Sequence, residues 1–161
     1  MAASTTAADL VQHLQWNEEG LVLVTAADED RFAIKVRRAV EILQQAGRRE
    51  EFRDQFKLLL GVLAGWLKDR SDIERAFLTQ RDGAFSFVVM RSVCEYDDDF
   101  EDELSTIDFH IANDTDLNLI KMDAIALPPV SDAAVRSFLD PDFVMEYATH
   151  GNRSRSSEAS E

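Results

Sequence analysis

Cysteine is almost missing from this chain. Cys94 is the only one in 161 residues, so no intrachain disulfide can form, and a small domain that depends on such cross-links is excluded. A reducing, cytoplasmic setting is the expectation. Long apolar runs are missing too: the longest, Leu58 to Leu67, is ten residues, whereas crossing a bilayer takes about 20. Met1 to Ala8 carries no basic residue and no apolar stretch of the length a secretory leader needs, so neither a leader nor a membrane passage is expected.

Other scarcities remove chemistry. The six glycines are scattered with no G-x-G, which excludes a glycine-rich phosphate cradle. His13, His110 and His150 are far apart and, with a single cysteine, provide neither Cys-x-x-Cys nor His-Glu-x-x-His, the spacings that hold zinc. Each of the four lysines, Lys35, Lys57, Lys68 and Lys121, has Ala33, Gln55, Trp66 or Leu119 two positions before it, so the carboxylate-x-Lys element of metal-dependent nucleases is absent. No cofactor is expected.

Basic residues are scarce relative to acids, 17 against 31, giving a net charge of −14. Such a chain is repelled by nucleic acid and by anionic lipid unless its cations are segregated. The run holding Arg31, Lys35, Arg37, Arg38, Arg48, Arg49, Arg53 and Lys57 is diluted by seven acids between Asp28 and Asp54, so no nucleic-acid partner is expected.

What the chain does contain is enough apolar material, 45% of residues and ten phenylalanines, to build one real core. Its length suits a single α+β domain over residues 1–149, and the tail from 150 to 161, nearly devoid of apolar residues, reads as disordered. Leu10, Val11, Leu14 and Trp16 suggest a short helix stopped at Gly20, and Leu21 to Val24 a possible strand. Phe32, Val36, Ala39, Val40 and Leu43 recur at steps of three and four and predict a helix over about 28–46, ended at Gly47. Phe52, Phe56, Leu59, Leu63 and Trp66 predict a second over about 49–68, in which Gly61 and Gly65 are expected to allow close backbone approach.

The period then changes. Two β-rich runs flank Asp82-Gly83, the two-residue signal of a type I′ turn, and predict a hairpin near 75–94 whose second strand is apolar on both faces and so central. Cys94, at the end of that strand, reads as a core thiol. Phe100, Leu104, Ile107 and Ile111 favour a helix over about 98–112, although Ile107, Phe109 and Ile111 alternate as in a strand. A strand near 117–127 follows, stopped by Pro128-Pro129. Ser131 can cap a short helix, and Asp140-Pro141 reads as a cap opening a last helical turn through Phe143, Val144 and Tyr147. The expected fold is therefore α+β, a small mainly antiparallel sheet packed against two long helices.

The charge is unevenly placed. Residues 1–81 hold 13 acids and 12 bases, whereas residues 82–161 hold 18 acids and 5 bases. Segment 95–116 alone carries ten carboxylates and no Lys or Arg. Its residues Asp97, Asp98, Asp99, Glu101, Asp102, Glu103 and Asp108 are the candidate docking surface for a basic protein partner, with charge-steered encounter that weakens in salt. The expected function is a non-enzymatic interaction module.

Two alternatives use the same residues. A divalent-metal site, or a metal-assisted hydrolase built on it, would draw on Asp97, Asp99, Glu101, Asp114 and Asp116. Calcium-loop geometry argues against it, since from Asp114 the sixth position is Leu119 and the twelfth Ile125, where the turn needs Gly and the ion a bidentate Glu. A structural or housekeeping domain whose charge serves only solubility is the other. His110, between Asp108 and Asp114, reads as a surface imidazole rather than a general base.

Overall fold

A computed structural model describes residues 11–42 and 48–149. Strands β1 (Gln12–Trp16) and β2 (Val22–Leu23) form a hairpin, followed by helices α1 (Glu29–Ile42) and α2 (Arg49–Leu67). Strands β3 (Ile73–Arg81) and β4 (Ala84–Arg91) form a second hairpin. Helix α3 (Asp98–Asn113), a 3₁₀ turn (Thr115–Leu117), β5 (Met122–Leu127), helix α4 (Asp132–Arg136) and β6 (Val144–Tyr147) complete the order.

The fold is α+β, but the sheet is larger and more mixed than expected. Its six strands run in the order β2-β1-β6-β3-β4-β5, with β1–β6 and β4–β5 parallel and β1–β2, β3–β4 and β3–β6 antiparallel. Two strands account for the difference. The segment expected as a first helix is β1, in which Gln12, Leu14 and Trp16 point to the helical side of the sheet and polar Gln12 hides the alternation. The expected last helical turn is β6, inserted between β1 and β3 in the middle of the sheet. The strand near 117–127 starts only at Met122.

The two long helices, the β3–β4 hairpin and α3 lie where the periodicity put them, but α3 with 16 residues is longer than α1 with 14 and shares the core, so the sheet packs against three helices rather than two. Asp82 and Gly83 both have positive φ, 52° and 79°, as the two-residue turn requires. β4 lies between β3 and β5 and is buried along almost its whole length, so it is an interior strand, although only β5 lies beyond it. The expected end of α1 at Gly47, the start of the chain to Leu10 and the tail from 150 lie outside the described residues.

One face of the sheet packs against α1, α2 and α3. Phe52 of α2 stacks on Phe85 of β4 and Phe56 lies tilted against the same ring, which also meets Phe143, with centroids 5.4 Å apart for Phe56–Phe85 and 5.6 Å for Phe85–Phe143. The other face buries Phe77, Val88, Met90, Leu127 and Val144 under Val135 of α4. Beside them, buried Glu146 accepts from Arg75 Nε at 2.9 Å, and Arg75 Nη1 reaches Asp132 at 2.9 Å, tying α4 to the sheet. The β1–β2 turn rests on α2: a Cβ on Gly61 would lie 3.3 Å from the Gly20 carbonyl oxygen, whereas one on Gly65 would meet nothing within 4 Å. Close approach is thus the reason for Gly61 and not for Gly65.

Candidate functional site

Helix α3 carries most of the acidic segment. Asp97 has extended backbone, φ −135° and ψ 107°, and its side chain accepts from the Phe100 N–H at 3.2 Å, which satisfies one of the donors left open at a helix start. Asp98, Asp99 and Glu101 in the first turn add negative charge where the helix dipole favours it. Phe100, Leu104, Ile107 and Ile111 form the buried stripe, with the Phe100 ring edge-on to Trp66 at 6.1 Å.

This arrangement divides the seven docking candidates. Asp97 serves as the cap and also lies 3.7 Å from Arg91, a nearly buried guanidinium held over the Phe100 ring. Glu103 is ion-paired with Arg70, which stacks on Trp66 with 3.9 Å to the ring centroid. Asp108 sits half-buried on the flank facing β5, and burial, reinforced by the charge of Asp123, pushes its carboxyl above the ordinary range. Asp98, Asp99 and Asp102 are exposed and Glu101 half-buried, and among the described residues none of the four is ion-paired.

Aromatic side chains accompany these carboxylates. At 100° per residue, Asp98, Asp102 and Phe109 fall on the line opposite the buried stripe, with Ser105 beside it. Phe109 is 72% exposed there. Tyr96, 76% exposed, stands just before the helix. The charge of Asp98 chiefly, together with Glu101, Asp102 and a hydrogen bond to the Asp98 carboxylate, raises the Tyr96 hydroxyl pKa. Tyr96, Val93, Glu95 and Asp97 to Asp99 line an open hollow with Arg91 in its wall. In the sequence Phe109 stands only in the alternation of Ile107, Phe109 and Ile111, which suits a strand as well as a helix. The signal that locates it is its five-residue offset from Leu104, which places it on the opposite face of a helix.

The metal alternative is not supported by the geometry. Asp97, Asp99 and Glu101 lie at the start of α3 and Asp114 and Asp116 beyond its end, so even Glu101 and Asp114 are separated by roughly 20 Å at 1.5 Å per residue. Asp114 is engaged locally, accepting from the Asp116 N–H at 2.8 Å and lying 4.0 Å from His110. Among the described residues no group of three or more His, Cys, Asp or Glu is placed to hold a metal ion.

Cys94 is a correction as well: β4 ends at Arg91, and the thiol three residues later is exposed rather than part of the core. His110 is a surface imidazole, 64% exposed. A second, more apolar hollow lies between β2, α1 and α2, over Val24, Phe32 and Leu60, with Lys57 on its rim. Among the described residues no helix is long and apolar enough to cross a membrane. No family model matches the chain, and no curated protein and no solved structure matches it.

Proposed function

We propose that this chain is a non-enzymatic protein–protein interaction module that docks a basic partner through the outward face of α3. The observation that carries the reading is Phe109, largely exposed in line with Asp98 and Asp102. Solubility accounts for the carboxylates but gives no use to a phenylalanine at the most outward position of the helix. Covering such a ring is worth about 1.5–3 kcal/mol, and a cation laid over it gains about 0.5–2 kcal/mol more. Unpaired acids around an aromatic anchor therefore suit a surface presenting Lys or Arg beside an apolar pocket. Asp99 and Asp102 steer the approach, while Asp97 and Glu103 are already engaged within the fold and hold the helix in place.

The test is affinity capture with the whole chain as bait at low and at high salt. It is compared with Asp99→Asn/Asp102→Asn and with Phe109→Ala, each checked by circular dichroism for an intact fold. Basic proteins retained by the unmodified chain at low salt, and lost both at high salt and with either variant, support docking. Identical captured sets for all three baits reject it and leave the charge as solubility alone.

A further inference from the structure

The sheet has two outer strands, β2 and β5, and among the described residues only β5 is guarded. Beside β5 packs α3, Lys121 and Asp123 place charges at its start, and Pro128-Pro129 follows its end, all devices that discourage a further strand. The β2 run, Leu21-Val22-Leu23-Val24, has neither charge nor proline. Val22 and Val24 pack on the core, while Leu21 and Leu23 on the reverse face are 58% and 54% exposed. A strand that is apolar on both faces normally has both covered, and here no described residue pairs with the outer edge while Leu21 and Leu23 stay exposed on one face.

The backbone shows which groups look outward. Leu21 donates its N–H to Asn17 Oδ1 at 2.9 Å, and its carbonyl accepts from the Asn17 N–H at 3.0 Å, so its polar groups turn toward β1. By alternation, the N–H and C=O groups of Val22 and Val24 face the open edge.

Charge selects what can approach. The half of the sequence that holds β2 has 13 acids against 12 bases, whereas the other half holds 18 against 5 and places its acidic helix beside β5. The two edges are five strand spacings apart, roughly 24 Å at about 4.8 Å each. Two copies meeting at β2 would hold their α3 helices roughly 50 Å apart, many times the screening length of about 8 Å at physiological salt. Meeting at β5 would press the acidic segments together. The β2 run offers no charge to attract a basic or an acidic stranger, and it is complementary to itself.

We propose that two copies of this chain pair antiparallel through their β2 edges, about a two-fold axis at Leu23, joining both sheets into one. Val22 of each copy exchanges hydrogen bonds with Val24 of the other. Leu23 faces Leu23 of the second copy as a non-hydrogen-bonded pair, with Cα atoms about 4.5 Å apart. Both α3 faces remain free at the far ends, so the assembly would be bivalent for any partner docking there.

The test measures the mass of the full chain by sedimentation equilibrium over a range of concentrations. Twice 18.2 kDa is expected at the upper end. Leu23→Lys, on an exposed side chain, is expected to raise the dissociation constant on the order of tenfold or more with an unchanged circular dichroism spectrum, while Phe109→Lys leaves it unaltered. Leu23→Cys in a Cys94→Ser background is expected to cross-link the two copies when oxidised glutathione is added as the electron acceptor, because about 4.5 Å between Cα atoms suits a disulfide. A mass of 18.2 kDa at every concentration, or a dimer that neither weakens with Leu23→Lys nor cross-links through Leu23→Cys, overturns the proposal. Higher salt is expected to tighten this pairing by screening the −14 charges, the opposite of its effect on docking at α3, so the two proposals fail separately.

Discussion

The hydroxyl of Tyr147 donates to the carbonyl oxygen of Leu60 at 3.0 Å, both residues wholly or almost wholly buried, and so ties central strand β6 to the middle of α2. Burial holds this phenol well above its ordinary value of 10.0. An acid whose pKa is raised by folding contributes stability that is fully present below the unfolded value and is lost as pH rises through the folded one. Tyr147→Phe is expected to cost about 0.5–1.5 kcal/mol near neutrality, the net worth of one hydrogen bond. It should also remove part of the loss of stability above pH 10.0, and thermal melts at pH 7 and pH 11 would read both effects.

Gln55 is a buried polar residue whose two ends are both used. Its Oε1 accepts from the Leu119 N–H at 2.9 Å and its Nε2 donates to Asn118 Oδ1 at 2.7 Å, joining α2 to the turn before β5. Gln55→Leu keeps the volume but leaves the buried Leu119 N–H without that acceptor, at an expected cost of about 1–3 kcal/mol. Urea unfolding would show a lower midpoint with an unchanged slope.

The two glycines of α2 separate by a simple substitution. Gly65→Ala meets open space and restricts the unfolded chain, so it is expected to stabilise by about 0.5–1 kcal/mol. Gly61→Ala gains less, because its new methyl sits 3.3 Å from the Gly20 oxygen and the β1–β2 turn must give way. The order of the two melting temperatures checks this.

Asp108 should make stability depend on pH in a definite direction. Its carboxyl is raised above 3.8 by burial and by Asp123, so its favourable contribution is complete below pH 3.8 and lost as pH rises through the raised value. Asp108→Asn is expected to raise the urea midpoint at pH 7 and to leave it nearly unchanged at pH 3. Equal gains at both pH values would contradict the assignment.

The stripe Phe100, Leu104, Ile107 and Ile111 outweighed the alternation around Phe109 because a helix of 16 residues repeats its period several times. β6 offers four residues and no such repetition. Phe143, Val144 and Tyr147 suit one turn of helix as well as a strand buried on both faces. The difference is made by β3: Thr79 Oγ1 accepts from the Asp140 N–H and donates to the Phe143 carbonyl, both at 2.8 Å, and the Gln80 side chain bonds Asp140. Asp140 Oδ1 then accepts from Asp142 N–H at 2.8 Å, closing a turn that feeds a strand instead of a helix.

The candidate surface was legible in the same uneven way. Ten carboxylates between Glu95 and Asp116 are visible by counting, but not their engagement with the fold. Arg91 and Arg70, brought to α3 from β4 and from beyond the end of α2, draw in Asp97 and Glu103, and β5 brings Asp123 to Asp108. The outward line of Asp98, Asp102 and Phe109 is what remains.

By itself the sequence determined α1, α2, α3, the Asp82-Gly83 turn and the location of the negative charge, because each rests on contacts within a few residues: helical period, cap chemistry and positive φ. Tertiary structure alone decided that β1 and β6 are strands, that the sheet is mixed and six-stranded, and which carboxylates are left to face outward. The partners that satisfy their backbones and charges lie far along the chain, as Gln12 beside Met145 and Ala76 beside Tyr147 illustrate, and no local pattern encodes a hydrogen bond to a strand that distant.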